Sequence, residues 1–289
     1  GPIDLPDDQM QDVRTVNWAK SELRKNHDKP FFLACGFYRP HLPWYVPKKY
    51  FDKFPLDEII LPEVKLDDLD DLPEYGKRFA RERYSGSWGT DLNEGERDHD
   101  LVIKYDQWKK GVQAYLASIN FVDTYVGELL DGLDESKYAD NTIVVLWGDH
   151  GWHLGEKQHW RKQALWEDTT HVPFIMSYPK IISKNSICES PVSFIDIYPT
   201  LVDLAGFPKK EGLDGKSLKD LLINPSMEWN RPVLSTYGKG NHAVRSGKWR
   251  YIQYRDGSSE LYDHKNDPNE WHNLSGKETF ENVVQNLKK

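Results

Sequence analysis

The chain has 289 residues, and its 38 Lys and Arg against 46 Asp and Glu give a formal net charge of −8. A content of 29% charged and 38% hydrophobic residues excludes a disordered chain. No apolar run approaches the roughly 18 to 20 residues of a membrane span, and the acidic balance argues against nucleic acid as a partner. This length supports one large α/β domain or two medium ones.

The first 50 residues predict a helix, a strand and a loop. Spaced apolar positions over 7–25 predict an amphipathic helix. The apolar run 31–37 predicts a buried strand, and the turn-rich segment 38–44 leaves its C-terminal end. Two prolines flank His41 in this loop and hold it stiffly. His41 is therefore a candidate acid or base, although an isolated His is more often structural.

The segment 55–105 predicts a long excursion with little regular structure. It carries a cluster of acidic residues, namely Asp67, Asp68, Asp70 and Asp71. The cluster lacks the ligand spacing and the closing Glu of a calcium loop, so a solvated acidic surface is favoured over a calcium site.

Helices and strands alternate over the following hundred residues. Apolar positions at three- and four-residue steps predict a long helix over 108–133 and another over 194–204. The continuous apolar run 142–147 predicts a parallel strand buried on both faces, and 172–176 predicts a second strand. This alternation indicates an α/β sheet.

The character of the sequence changes after residue 225. Short strand-like pieces occur at 233–236, 243–245, 249–254 and 260–262. Asp256-Gly257 is a strong hairpin signal. We predict a small antiparallel sheet with a last helix over 280–287, and hence an α/β region over 1–225 and an α+β subdomain over 226–289.

The strand over 142–147 leads into a candidate metal loop, residues 148–156. Ligands of an open α/β sheet bind beyond the carboxyl ends of its strands, where Asp149 supplies a carboxylate. Asp149 and His150 both face a metal only if the backbone turns sharply between them, and flanking glycines permit that. Taken alone, such a pair is more often an ordinary polar turn.

Zinc is an alternative metal for this region. Its candidate ligands are Asp149, His150, His153 and His159. Their spacings match neither an H-E-x-x-H pattern nor a closed structural site, so zinc is disfavoured.

Three cationic residues follow the candidate metal loop closely, namely Lys157, Arg161 and Lys162. Cations beside a metal suit a strongly charged anionic group held between them. Considered alone, a solvated basic turn is the more frequent meaning of such a run.

Four segments together resemble the type I sulfatases of the alkaline-phosphatase superfamily. They are 31–44, similar to the family's strand and histidine loop; 148–162, similar to its metal and lysine segment; 170–173, similar to the next strand; and 260–274, similar to its C-terminal signature. The match leans toward the branch that includes iduronate-2-sulfatase and bacterial relatives acting on sulfated polysaccharides. It implies an alkaline-phosphatase-like sheet with flanking helices, incomplete at its N-terminal side.

The resemblance implies the chemistry of a site. Asp149 and His150 would supply two ligands of a bound Ca²⁺, and Lys162 would bind a sulfate oxygen. His41 would contact the sulfate or protonate the leaving sugar oxygen as a general acid.

The resemblance also implies how a substrate is held. Trp152 would line the pocket against a sugar face, and His242 would reach the pocket from the C-terminal sheet. The implied substrate is a sulfated carbohydrate. The implied location is the periplasm or the outside of the cell, with the export signal upstream, because the first residues show no signal peptide.

The nucleophile departs from the family pattern. The family's formylglycine arises from Cys or Ser in Cys/Ser-x-Pro/Ala-x-Arg. Two positions have the outer spacing, Cys35 and Ser246, but Phe37 and Lys248 occupy the middle of each. The family's N-terminal pair of metal-binding aspartates also has no counterpart. We therefore expect the C-terminal part of a sulfatase, inactive by itself, whose missing N-terminal segment carries the nucleophile.

Two other hypotheses stay open. One is a phosphodiesterase or phosphonate hydrolase of the same superfamily, which the upstream sequence would distinguish. The other is a non-catalytic glycan-binding derivative, marked by binding of a sulfated oligosaccharide without metal or activity. The two cysteines, Cys35 and Cys188, do not make a disulfide framework under any of these hypotheses, and we expect unpaired thiols.

Overall fold

The structure is a computed structural model that describes residues 1–81 and 97–288. These residues form two compact units. The first unit comprises Gly1–Pro62 and Leu101–Thr142, and the second comprises Glu63–Asp100 and Ile143–Lys289. The boundary at residue 225 stays a prediction. None of the helices in the described ranges combines the length and the hydrophobicity that crossing a bilayer requires.

The described residues contain nine α-helices: α1 (Gln11–Leu23), α2 (Lys48–Phe51), α3 (Glu74–Ala80), α4 (Asp98–Lys104), α5 (Trp108–Asp134), α6 (Glu167–Thr170), α7 (Ile197–Leu204), α8 (Lys219–Ile223) and α9 (Glu281–Leu287). They also contain ten short strands: β1 (Pro2–Ile3), β2 (Val46–Pro47), β3 (Val144–Trp147), β4 (His153–Leu154), β5 (Trp160–Arg161), β6 (Phe174–Ser177), β7 (Val233–Thr236), β8 (His242–Ser246), β9 (Trp249–Gln253) and β10 (Ser259–Asp263).

Helices α1 and α5 form the core of the first unit, as their apolar spacing predicts. Val16 and Ala19 of α1 are fully buried, as are Ala117 and Phe121 of α5. Burying one apolar stripe on each helix stabilises both, because neither sequence is apolar all round.

The strand predicted over 31–37 does not form, and this correction has a physical reason. The run has no strand pairing in the described residues, and Phe32 is 81% exposed. An extended segment becomes a strand only when a neighbour takes up its backbone N–H and C=O groups, which hydrophobicity alone does not supply. The run ends where Asp12 Oδ1 accepts a hydrogen bond of 2.5 Å from the Tyr38 backbone N–H. Cys35 is a free thiol, and Cys188 is too, as expected.

Strand β3 leads to the candidate metal loop, but its pairing differs from the prediction. It pairs antiparallel with β6, in the register Val144↔Ser177 to Trp147↔Phe174. Neither face is fully covered in the described residues, since Trp147 and Ile175 are exposed. A continuous apolar run indicates a strand but not the direction of its partner. The connection after Trp147 sets that direction by returning the chain alongside β3.

The C-terminal antiparallel sheet confirms the prediction for residues after 225. Its strand order is β10-β9-β8-β7, and α9 follows near the end of the chain. The hairpin between β9 and β10 turns at Asp256-Gly257, where Gly257 has a φ of +88° that favours glycine.

A buried carboxyl ties this sheet to the rest of the second unit. Glu260 is fully buried and accepts hydrogen bonds from Tyr254 Oη (2.6 Å), Tyr262 Oη (2.7 Å) and Trp166 Nε1 (2.8 Å). Trp166 immediately precedes α6, so the sheet fixes the start of the segment that lies behind the candidate metal loop.

Candidate functional site

Asp149 and His150 lie together at the end of β3. His150 Nε2 is 3.4 Å from Asp149 Oδ2, and His150 Nδ1 is 2.9 Å from the carbonyl oxygen of Gly151. When Nδ1–H donates to that carbonyl, Nε2 carries the lone pair. This buried Nε2 has no hydrogen-bond partner in the described residues. The carboxylate of Asp149 is exposed.

This geometry suits a cation. With Nδ1–H donating to the Gly151 carbonyl, the Nε2 lone pair faces the Asp149 carboxylate across 3.4 Å, an arrangement that a positive ion between or beside them would stabilise. Asp149 and His150 therefore fit two positions of a metal site. Calcium takes six to eight mostly oxygen ligands, so further ligands are required for a calcium site.

Gly151 holds the candidate metal loop against the segment of α6. Its N–H donates to Thr169 O (2.7 Å), and Trp152 N–H donates to Asp168 O (2.8 Å). A Cβ on residue 151 would lie 1.8 Å from Asp168 O. From the sequence, we expect this glycine to permit a sharp turn. The structure shows another reason for glycine at this position, namely that two backbone segments approach too closely for a Cβ atom.

Trp152 and Lys162 share one end of a small ladder. Strands β4 and β5 pair antiparallel in the register His153↔Arg161 and Leu154↔Trp160. Continuing that register by one residue brings Trp152 and Lys162 to the same end. The Trp152 ring also lies 6.3 Å from the His150 ring, centroid to centroid. The structure thus brings Asp149, His150 and Trp152 close together, and Lys162 follows β5 at the end of the ladder where Trp152 precedes β4.

The three cations of this region have different surroundings. Lys157 is buried and pairs with Asp68 Oδ1 at 2.9 Å, so Asp68 is not part of the predicted solvated acidic surface. Arg161 pairs with Asp98 Oδ2 at 3.1 Å. Within the described residues the half-exposed Lys162 ammonium has no acidic partner. Lys162 is therefore the cation of this set that stays available to an anion.

His153 belongs to a cluster that the sequence did not predict. Its Nδ1 lies 3.7 Å from Asp168 Oδ2 and 4.0 Å from Glu156 Oε2. Among the described residues, ligand atoms within 4.8 Å of one another group His153 with these two carboxylates, rather than with His150 or His159 as in the disfavoured zinc set. The spacing of His153 and Glu156 was visible in the sequence, but Asp168 joins them only through the backbone contact at Gly151.

Burial dominates the protonation of this cluster. It lowers the pKa of His153 well below its usual range and lowers that of His159 to about 4, so both imidazoles are neutral near pH 7. Burial also raises the pKa of Glu156. It raises the pKa of Asp168 to about 7, together with repulsion from neighbouring carboxylates.

His41 lies in the first unit, in a loop held by its own hydrogen bonds. Its Nδ1 is 2.6 Å from Leu42 O, and its ring lies 5.1 Å from the ring of Tyr38. Trp44 Nε1 donates to Pro40 O at 2.7 Å across the same loop. His41 is exposed, and its predicted role stays a prediction.

His242 begins β8 in the C-terminal sheet. Its Nδ1 lies 2.9 Å from Thr236 Oγ1 on β7, and its Cα partners in the sheet are Thr236 and Gln253. These contacts are within its own sheet, and its predicted reach into a substrate pocket stays a prediction.

Comparison with known families shows which family the chain belongs to. A model of the sulfatase family matches residues 3–207. The chain belongs to the sulfatase family. A model described as the C-terminal part of N-sulphoglucosamine sulphohydrolase matches residues 155–289, so sulfatase models together cover nearly the whole chain.

Sulfatase relatives match this chain over only part of their own length. A sulfatase of Formosa agariphila is 42% identical over 288 residues, which cover 100% of this chain and 54% of that protein. Human iduronate 2-sulfatase is 33% identical over 187 residues, which cover 61% of this chain and 32% of that protein. The predicted resemblance is confirmed, and the chain spans about half the length of the first of these relatives.

Solved structures share the fold of this chain. One, a complex with D-glucosamine-2-N,6-O-disulfate as its substrate, aligns with a TM-score of 0.77 and 23% identity over 96% of this chain and 67% of its own. A phosphonate monoester hydrolase from Silicibacter pomeroyi aligns with a TM-score of 0.83 and 21% identity over 100% of this chain and 60% of its own. The predicted alkaline-phosphatase-like α/β fold is confirmed.

Proposed function

We propose that the protein containing this chain hydrolyses a sulfate ester on a carbohydrate. The observation that carries the proposal is the arrangement of residues 148–162, in which Asp149 and His150 lie 3.4 Å apart and Lys162 has no acidic partner among the described residues. A sulfate group needs positive charge around its oxygens, both when it binds and when negative charge builds up on transfer. Membership of the sulfatase family supports the same reaction.

In this proposal Asp149 and His150 are two ligands of Ca²⁺. The orphaned Nε2 of His150 beside the Asp149 carboxylate supports a bound cation at this position. Bound calcium supplies positive charge that offsets the charge of a sulfate group. The remaining oxygen ligands that calcium requires come from outside the pair.

Lys162 binds a sulfate oxygen, and Trp152 presents its ring to a sugar face. Both residues flank the same end of the β4–β5 ladder, which supports their binding two neighbouring parts of one substrate. The roles of His41, as the group that contacts the sulfate or protonates the leaving oxygen, and of His242, as a substrate contact, rest on the family resemblance.

In this proposal the formylglycine nucleophile lies outside these 289 residues, because neither Cys35 nor Ser246 fits the family pattern. The chain by itself is then expected to bind anions weakly and not to turn over an aryl sulfate. We further propose that the protein acts in polysaccharide degradation in the periplasm or outside the cell, as the resemblance implies.

The test is an assay of the protein containing this chain with an aryl sulfate and calcium. We expect release of inorganic sulfate, and we expect Lys162→Ala to lower kcat by roughly 10²- to 10³-fold, the usual effect of removing one stabilising charge. Lys184→Ala, an exposed lysine elsewhere in the second unit, is the matched control and should keep full activity. Sulfate release that is unchanged in Lys162→Ala would refute the role of this ammonium.

A second reaction has one observation in its favour, the TM-score of 0.83 with a phosphonate monoester hydrolase. An aryl phosphonate monoester is therefore assayed in parallel. Faster hydrolysis of the phosphonate than of the sulfate ester would show that phosphonate ester hydrolysis, and not sulfate ester hydrolysis, is the main reaction. Tight binding of a sulfated oligosaccharide with neither calcium nor turnover would instead favour the glycan-binding derivative.

A further inference from the structure

A second cluster of ligand atoms includes His153, which follows His150 by three residues. His153 Nδ1, Glu156 Oε2 and Asp168 Oδ2 all lie within 4.8 Å of one another. Their chain segments are held together independently of any ion, because the β4–β5 ladder fixes His153 and the Trp152–Asp168 backbone hydrogen bond fixes the start of α6.

The imidazole of His153 has no partner for its polar atoms. The residue is fully buried, and neither Nδ1 nor Nε2 makes a hydrogen bond in the described residues. Either neutral tautomer therefore buries both an N–H donor and a lone pair without partners, which is costly in a protein interior. Two carboxylate oxygens lie 3.7 and 4.0 Å from Nδ1 and crowd negative charge at one point.

The other candidate ligand cluster in the described residues provides a contrast. It consists of Glu167, His264 and Glu270. There Arg250 Nε lies 2.7 Å from Glu270 Oε1, and His264 Nε2 lies 2.7 Å from the same oxygen. The charges of that cluster are already matched by protein groups, so it needs no ion. The His153 cluster has no such arginine among its described ion pairs.

The geometry points to a binding site for a divalent first-row transition metal ion formed by His153 Nδ1, Glu156 Oε2 and Asp168 Oδ2. One imidazole nitrogen and two carboxylate oxygens are a ligand set that zinc accepts, and three protein ligands leave one position for water. Calcium suits the set poorly, because it prefers six to eight oxygens.

The distances require only a small closure. Two ligands of a tetrahedral zinc ion, at bond lengths of about 2.0–2.2 Å, lie roughly 3.3–3.5 Å apart. The observed separations of 3.7 and 4.0 Å from Nδ1 exceed this by a few tenths of an ångström. The Asp168 side chain is 52% exposed, so it can rotate toward Nδ1, and the ion has a path from solvent. The site is separate from the proposed calcium pair and does not depend on the proposed sulfatase reaction.

The test is zinc titration of the metal-stripped chain by isothermal calorimetry, with cobalt absorption and X-ray absorption as structural readouts. We expect one bound equivalent, visible cobalt bands of a four- or five-coordinate ion, and nitrogen and oxygen neighbours at about 2.0–2.2 Å. Asp168→Asn and Glu156→Gln should each lower zinc affinity by at least about tenfold, the loss seen even for outer-shell partners of metal ligands.

Two control variants locate the ion. His171→Ala removes an exposed imidazole near α6 and should leave zinc binding unchanged. Asp149→Asn removes the proposed calcium carboxylate and should also leave it unchanged. Absence of a bound equivalent in the wild-type chain overturns the proposal. So does wild-type affinity in both Asp168→Asn and Glu156→Gln, or loss of binding in Asp149→Asn alone. The X-ray absorption of the wild-type chain decides the ligand set even if a variant fails to fold.

Discussion

Lys157 Nζ lies 2.9 Å from Asp68 Oδ1, and both side chains are only 3% exposed although 89 residues separate them. Lys157 also donates to the backbone carbonyl of Glu270. Burial raises the pKa of Asp68 against the opposing effect of Lys157. The pair joins the segment after residue 63 to the turn between β4 and β5, and so helps to hold the ladder that carries Lys162.

Removing the acid of this pair should be costly. Asp68→Asn leaves the Lys157 ammonium buried without a counter-charge, and we expect a loss of about 3–5 kcal/mol in the free energy of unfolding. Urea denaturation measures it. Asp70→Asn, two residues away and exposed, is the control and should change stability by less than about 0.5 kcal/mol. Equal effects of the two substitutions would show that the ion pair does not stabilise the fold.

The contact at Gly151 predicts a steric effect on the candidate metal loop. Gly151→Ala places a methyl group 1.8 Å from Asp168 O, so one backbone must move. We expect a loss of roughly 1–3 kcal/mol in stability and weaker calcium binding by calorimetry. Gly148→Ala is the matched control, because its Cβ would meet Val172 Cβ at an ordinary 3.5 Å. A Gly151→Ala protein as stable as Gly148→Ala would contradict the close approach of the two segments.

Asp7 in the first unit predicts a pH dependence of stability. Its Oδ2 accepts hydrogen bonds from Tyr50 Oη (2.6 Å) and Tyr125 Oη (2.5 Å), and Lys49 Nζ lies at 2.6 Å. Burial alone would raise the pKa of Asp7, but these three partners outweigh it and lower the pKa below its usual value of 3.8. A lowered pKa in the folded state means that the unfolded chain binds this proton first.

The resulting stabilisation is complete above the unfolded pKa of 3.8 and is lost as the pH falls through the lower folded value. Urea midpoints from pH 7 to pH 3 should therefore fall less steeply below pH 4 for Asp7→Asn than for the wild type. The exposed Asp8→Asn is the control and should retain the wild-type slope. If the urea midpoints of all three proteins fall equally with pH, the protonation of Asp7 does not contribute to the loss of stability in acid.

The buried side chain of Glu260 must accept hydrogen bonds with both of its oxygens. Three donors converge on it, from Tyr254, Tyr262 and Trp166. Glu260→Gln replaces one acceptor oxygen by an N–H₂ group that faces donors, and we expect a loss of about 1–3 kcal/mol by thermal or urea unfolding. The same substitution at exposed Glu281 should be neutral. A neutral Glu260→Gln would mean that the three donors find other acceptors.

Local patterns predicted much of this fold. The apolar spacing of α1 and α5 and the hairpin signal at Asp256-Gly257 identified those elements, because amphipathic helices and tight hairpins are encoded by residues close in sequence. Strand pairing was predicted less well. The run 31–37 lacks a described pairing, and β3 pairs in the opposite direction to the one predicted, because pairing depends on segments that are distant in sequence.

The candidate site shows the same division. Asp149 and His150 are adjacent in sequence, so their proximity was predictable, whereas Asp168 reaches His153 only through a backbone contact between segments distant in sequence. The surroundings of each cation could not be predicted from the sequence either. Nothing local to Lys157 distinguishes it from Lys162, yet one is buried against Asp68 and the other has no described acidic partner.

That difference has a consequence for how the protein selects an anion. Among the three cations of residues 157–162, Lys157 and Arg161 are paired with aspartates, so an approaching anion meets the field of the Lys162 ammonium and of the proposed calcium, within a chain of net charge −8. At physiological ionic strength such a field fades over about 8 Å. Long-range attraction by this loop therefore contributes little to capture, and we expect discrimination between anions to depend on direct contact with Lys162 and the proposed calcium.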